Sequence, residues 1–173
     1  MSKLTDTRQR KGIKSPEFVG DIPTVSDALE GPFVYRHHVA WGDCDPAQIA
    51  YTAHIPRWGL LAIEHWYRLL IGFDWYTLNM DLGIGTPFVS LKFDFVAPVR
   101  PPEQLEITVE VERTGNSSLT HRVKGYQLET LCFEGTTVAA FVNAITMEPI
   151  NIPPNIRKSI DQFESNQNDE HPI

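Results

Sequence analysis

The hydrophobic pattern changes period once along the chain. Residues Phe33 to Trp41 alternate loosely between apolar and polar, which predicts a strand stopped by Gly42. From about Ala53 to Ile71 the apolar positions Ile55, Trp58, Ala62, Trp66, Leu69 and Leu70 recur at three- and four-residue steps. That is the helix period. Leu60, Leu61, Ile63 and Tyr67 extend the apolar character around most of the helix, so it is expected to be buried rather than surface-lying. Glu64 and Arg68 stand at a favourable i,i+4 spacing, and Gly72 is a natural stop. A connector from Asp74 to Gly85 leads into four strand candidates: Thr86 to Val96, Leu105 to Arg113, Leu119 to Leu131, and Thr136 to Met147. Phe133-Glu134-Gly135 is a plausible hairpin turn between the last two. A strand, a long apolar helix and then an antiparallel run of strands predict an α+β fold. In it, one curved antiparallel sheet wraps a single long buried helix, because the sheet needs a cover and the helix needs burial.

The ends of the chain read differently. Residues 1–32 are polar and proline-bearing, with five Lys or Arg among the first fourteen. They are expected to form a flexible or surface-wrapping arm, leaving 33–150 as the folded domain. Residues 151–173 read as an acidic tail in which a short helix near Ile156 to Phe163 is possible.

Composition narrows the function. The 173 residues carry a formal net charge of −7, which disfavours nucleic acid and anionic membranes as partners and leaves small molecules. No apolar run approaches the roughly 18 residues needed to span a bilayer. The N-terminal stretch lacks the apolar core of a signal peptide. Cys44 and Cys132 cannot define a disulfide framework. The expected location is therefore the cytoplasm.

The segment Trp41-Gly42-Asp43-Cys44-Asp45-Pro46-Ala47, followed by Gln48-Ile49-Ala50-Tyr51, sits between the first strand and the long helix. It places two carboxylates beside a helix N-terminus, where unpaired backbone N–H groups gather. Acyl-thioester chemistry needs a nucleophile or base together with donors for the developing oxyanion, and such a loop can supply both. Asp43 and Asp45 could equally form a turn and cap the helix. A calcium loop is excluded, because Gln48 falls where its glycine belongs and His54 where its bidentate Glu belongs. His37 and His38 are adjacent on a strand and face opposite sides, so they share no metal. His54 and His65 are eleven apart on the helix rather than at the i,i+4 spacing of a metal pair. No metal is expected. Cys44, flanked by acids, is expected to be a poor nucleophile.

The string Gly42-Asp43-Cys44-Asp45-Pro46-Ala47, with Arg57-Trp58 downstream, resembles the 4-hydroxybenzoyl-CoA thioesterase family of hotdog proteins. Gly83-Ile84-Gly85-Thr86-Pro87-Phe88-Val89-Ser90 is similar to the family segment that opens the second strand, and the resemblance runs from about Phe33 to Met147. It implies a hotdog fold and hydrolysis of an acyl-CoA, with an aromatic or bulky hydrophobic acyl group. Coenzyme A enters only as part of the substrate, with no separate cofactor. The resemblance assigns the catalytic carboxylate to Asp45 and the oxyanion donor to the backbone amide near Thr52, where the benzoyl-type enzyme has a tyrosine. Substrate contacts are expected at Asp43, Tyr51, His54, Trp58, Ser90, Arg113, Ser117 and Ser118. The basic cluster that grips the coenzyme A phosphates is replaced here by Thr114-Gly115-Asn116-Ser117-Ser118. The family pairs chains into dimers or dimers of dimers, with active sites at the interface. A hotdog hydratase would need a His five residues after its Asp; Asp45 is followed at that distance by Ala50, and Asp43 by Gln48. The remaining rival is a non-catalytic acyl-thioester binding or regulatory domain.

Overall fold

The computed structural model of the chain describes residues 33–169, with side chains to 166; the 1–32 arm lies outside the described residues. Its centre is a helix, α1 (His54–Ile71). The helix is buried along Ile55, Trp58, Ala62, Ile63, Trp66, Tyr67, Leu70 and Ile71, while Leu60 and Leu61 are only half-buried. Leu69, by contrast, is exposed. Pro56 falls in the first turn, where a missing N–H removes no intrahelical bond. Gly72 closes the helix in the left-handed conformation (φ 76°), its N–H bonded to Arg68 O at 3.0 Å.

A five-stranded antiparallel sheet curves around this helix. Its strands are β1 (Val34–His38), β3 (Phe88–Phe95), β4 (Gln104–Thr114), β5 (Ser118–Gln127) and β6 (Thr130–Ala140), in the spatial order β1-β4-β5-β6-β3. A short pair, β2 (Ile84–Gly85) with β7 (Val142–Asn143), and a one-and-a-half-turn helix, α2 (Trp75–Met80), close one end. One helix wrapped by one antiparallel sheet is the hotdog arrangement, the expected α+β fold. The wrap depends on close approach. A Cβ on Gly59 of α1 would sit 2.9 Å from Phe93 Cζ, and one on Gly125 of β5 would run into the Phe133 ring of β6. Glycine lets Phe93 of the sheet close on the helix at the first position, and lets the Phe133 ring lie across β5 at the second.

Three sequence expectations change. The hairpin between β5 and β6 turns at Leu128 and Glu129 (φ 47° and 64°), not at Phe133-Glu134-Gly135. Phe133 and Gly135 lie inside β6, where Phe133 covers Gly125 and Gly135 lies under Phe93. The true turn is anchored by Gln127, whose amide accepts from Arg100 N (2.8 Å) and donates to Arg100 O (2.9 Å). The last strand accordingly ends at Ala140 instead of running on to Met147.

The C-terminal segment is the third change. Residues Pro154–Asp169 form a helix, α3, whose Ile156, Ile160 and Phe163 are buried at helical spacing and, with Ile152, join the core. Phe163 meets Trp66 edge to face at 5.4 Å. Arg157 bonds Gly115 O, and Thr114 Oγ1 bonds Glu164 Oε2 at 3.2 Å, so α3 also holds the β4–β5 turn. The short helix offered near Ile156 to Phe163 is present and longer, and through residue 169 the stretch read as a tail is part of the fold.

One edge of the sheet stays apolar and uncovered. A bulge between Phe88 and Ser90 keeps Phe88 on the helix side, in register with Leu91, Phe93 and Phe95. Yet Leu91 and Phe95 are 48% and 54% exposed on that inner side, and Val89 and Val96 are 65% and 59% exposed. Such an edge is a template for further pairing.

Candidate active site

The Trp41–Tyr51 segment folds as a tight hairpin clamped between β1 and α1. A 3-10 turn (Trp41–Asp43) starts it, held by Asp43 Oδ2 accepting from Ala40 N at 2.9 Å. Cys44 pairs with Ala50, Asp45 N donates to Ile49 O at 3.0 Å, and Tyr51 N donates to Asp43 O at 2.9 Å. Asp45-Pro46-Ala47-Gln48 forms the tip. Pro46 supplies the fixed φ, and Gln48 takes the left-handed conformation (φ 62°). Asp45 Oδ1 accepts from Ala47 N at 2.8 Å, which fixes the carboxylate, while Oδ2 has no partner among the described residues. The turn-forming role weighed for both acids is therefore real, but neither acid caps α1.

That leaves the helix start open. The N-cap is Ala53, with no side-chain cap. His54 N and Ile55 N bond back to Tyr51 O and Thr52 O, at 2.8 and 3.2 Å. The amides of Thr52 and Ala53 have no partner among the described residues. Thr52 borders a cavity of about 270 Å³, walled by Ala50, Ile55, Phe95, Val99 and Cys132. The hairpin is pinned to the far wall by Ala50 N donating to Val99 O at 2.8 Å. An unspent amide at a helix N-terminus, on a residue that borders an apolar cavity, can hold a developing negative charge.

Rings flank this corner. Tyr51 meets His54 at 5.8 Å, His54 stacks on Trp58 at 5.7 Å, and Trp58 meets His37 at 4.4 Å. Trp58 is buried, whereas Tyr51 is 54% exposed. Burial pushes the His37 imidazole below its usual range, against the opposing pull of Asp43, so it is neutral at pH 7. Burial, then the charges of Asp43 and Asp45, raise the Cys44 thiol, which makes it a poor nucleophile. Among the described residues no group of three or more His, Cys, Asp or Glu side chains is placed to hold a metal ion. No described helix is long and apolar enough to cross a membrane.

Of the expected site residues, Asp43, Asp45, Tyr51, Thr52, His54 and Trp58 come together here. Ser90, Arg113, Ser117 and Ser118 do not. Ser118 pairs with Ala140 and Arg113 with Thr120, at the opposite end of the sheet from Cys132. Eight residues of β6 separate the two levels, about 26 Å at the rise of a strand. Ser90 pairs with Val138, about 20 Å from the same level. Within one chain these four cannot contact a group bound at Thr52. Sequence reasoning, for its part, missed Phe95, Val99 and Cys132. They are ordinary apolar residues whose place beside Thr52 depends on pairings across 40 to 80 positions, and no local signal marks them.

The comparisons with known proteins agree with this architecture. The model of the thioesterase-like superfamily matches residues 39–160. A thioesterase superfamily protein from Jannaschia sp. CCS1 is 39% identical, with TM-score 0.74, over 79% of this chain and 95% of that one. A 1,4-dihydroxy-2-naphthoyl-CoA thioesterase from Synechocystis shares the fold at 18% identity (TM-score 0.70; 82% and 100% covered). A gentisyl-coenzyme A thioesterase does so at 23% identity (TM-score 0.66; 73% and 98% covered). No curated protein matches the sequence.

Proposed function

The chain belongs to the thioesterase-like superfamily, and from that premise we propose that it hydrolyses an acyl-CoA carrying an aromatic or bulky hydrophobic acyl group. The products are the free acid and coenzyme A. The observation that carries the reading is the unpartnered amide of Thr52, a residue bordering an apolar cavity at the end of the hairpin that presents Asp45.

The thioester oxygen accepts from the Thr52 N–H. Asp45 acts as general base through its free oxygen Oδ2. It takes a proton from a water whose oxygen adds to the carbonyl carbon, the C–S bond breaks, and the proton passes to the departing thiolate. Two features favour base over nucleophile. Oδ1 is held in the Ala47 bond, and Asp45 lies about three residues up the hairpin from the level of Thr52, about 10 Å, which leaves room for a water. Asp43 supports the hairpin through Ala40 rather than touching substrate.

The active unit in this reading is a homodimer, or a dimer of dimers, joined along β3. The uncovered Leu91 and Phe95, on the helix side of a free edge, support that pairing. Antiparallel pairing about the middle of β3 sets the Phe88 end of one copy against the Phe95 end of the other. It also carries the second copy's Ser117–Ser118 turn toward the first copy's cavity, where hydroxyls and backbone amides can meet the coenzyme A phosphates. Cavity walls of Phe95, Val99 and Ile55 suit a bulky apolar acyl group.

Free-thiol release from a panel of aromatic and aliphatic acyl-CoAs tests the reading. Turnover highest with the aromatic members is expected. Saturable binding with no thiol release would instead favour the acyl-thioester binding domain, the reading supported by the missing basic cluster at 114–118.

A further inference from the structure

The turn between β4 and β5 has its carbonyls occupied and its donors free. Gly115 O accepts from the Arg157 guanidinium, and Asn116 O from Ile152 N at 2.8 Å. Ser117 O accepts from Phe141 N at 2.7 Å, and Ser118 O from Gly115 N at 2.8 Å. The amides of Asn116 and Ser117 have no partner among the described residues, and neither have the hydroxyls of Ser117 and Ser118. Asn116 is exposed and Ser117 half-buried, so these donors are open to a ligand.

Arg157 adds a charge to this corner. It comes from α3, 42 positions beyond Gly115, and makes no ion pair among the described residues. The Gly115 bond engages one side of its fork and leaves other N–H groups to donate. Glu164, the acid bonded to the same corner, is turned to Thr114 Oγ1 at 3.2 Å. Free amides and hydroxyls beside an unpaired guanidinium select an oxyanion, and a phosphate has oxygens enough for both the fork and the turn. The charge absent from Thr114–Ser118 in the sequence is thus supplied by the C-terminal helix.

The place suits a phosphate that trails a thioester. Ser118 pairs with Ala140 and Phe88 with Ala139, so the turn stands at the Phe88 end of the sheet. β5 lies two strands in from the β3 edge. Across a β3–β3 junction the turn is three strand spacings, about 14 Å, from the second copy's β3. The Phe95 of that copy borders its Thr52 cavity. Coenzyme A keeps its phosphates apart from the thioester by the long pantetheine arm, which can bridge such a gap.

We propose that Arg157, together with the Asn116 and Ser117 amides, binds a phosphate of the coenzyme A whose thioester lies in the second copy's Thr52 cavity. This rests on the thioesterase reading and on β3 pairing.

Two substrates separate phosphate binding from a purely structural role: the aroyl-CoA turned over fastest, and the N-acetylcysteamine thioester of the same acid, which carries no phosphate. Arg157→Gln should lower kcat/KM for the aroyl-CoA about tenfold through KM, with kcat near native, as loss of one charged hydrogen bond allows. The N-acetylcysteamine thioester should be hydrolysed by this variant at the native kcat/KM. Arg157→Lys, which keeps the charge, should recover most of the loss. An equal loss on both thioesters, or no loss on either, overturns the proposal and leaves the thioesterase reading standing. If neither thioester releases thiol, the thioesterase reading falls, and calorimetry with coenzyme A and pantetheine decides the site. Weakening of coenzyme A alone by Arg157→Gln would uphold the phosphate contact; equal or no weakening of the two would overturn it.

Discussion

The two ends of α1 are built by opposite means. Around Thr52, the polar groups and rings are neighbours in sequence: a hairpin of eleven residues, a helix start and rings at positions 51, 54 and 58. Only the apolar cavity wall of Phe95, Val99 and Cys132 comes from afar. Around Trp66, the same helix meets His121 of β5 and Phe163 of α3, partners up to almost a hundred positions away, and Phe88 of β3 packs on His121 in turn. The first end is partly open and carries polar backbone groups without partners. The second is sealed, aromatic, and carries orphaned side-chain atoms. Local sequence can build a reactive corner on a helix end. The sealed end exists only once the whole fold has closed.

That contrast can be broken first at α3. Phe163→Ala removes the ring that covers Trp66 and should cost about 3–5 kcal/mol in chemical denaturation. A loss under about 1 kcal/mol would return the C-terminal segment to the status of a tail.

A pH series sharpens the contrast next. His121 is neutral in the native protein with a pKa of about 3, below its ordinary 6.5, so the unfolded chain binds the extra proton. The stability it supports is complete above pH 6.5 and falls as pH drops toward 3. The slope reaches about 1.4 kcal/mol per pH unit, or about 3 kcal/mol lost by pH 4.5. His121→Gln should flatten denaturation midpoints across that window, and an unchanged slope would exclude His121 as its source.

Gly125→Ala forces a methyl into the Phe133 ring and should destabilise by about 1–3 kcal/mol. A neutral result would mean that the sheet does not need this close approach to curve. The smallest effect belongs to the other end. Thr52→Ala keeps the amide and should change kcat/KM by less than about threefold, since the backbone N–H is the working group. A hundredfold loss would transfer the role to the hydroxyl.

The sequence disclosed these two ends unequally. The helix period placed α1 to within a residue, because its buried positions depend on one face and one stop glycine. The Gly42–Ala47 string marked the hairpin, since a turn with Pro46 and two carboxylates is written in consecutive residues. Gly135 misled: it looks like turn chemistry, yet it is there to admit Phe93, a contact from a strand forty positions earlier. The real turn, Leu128-Glu129, has no turn residue at all, and its position is decided by Gln127 reaching Arg100. Ser90, Arg113, Ser117 and Ser118 were grouped with Asp45 by motif order, but strand register separates them within one chain.

At the centre of the account stands a single oxygen, Oδ2 of Asp45, acting on water beside the Thr52 amide. Asp45→Asn preserves the acceptor for Ala47 N–H and hence the turn, while removing the base. With acyl-CoA turnover followed by thiol release, kcat should fall by at least about a hundredfold while substrate binding and the thermal midpoint hold. Turnover by the Asn variant at the native rate would contradict the mechanism outright.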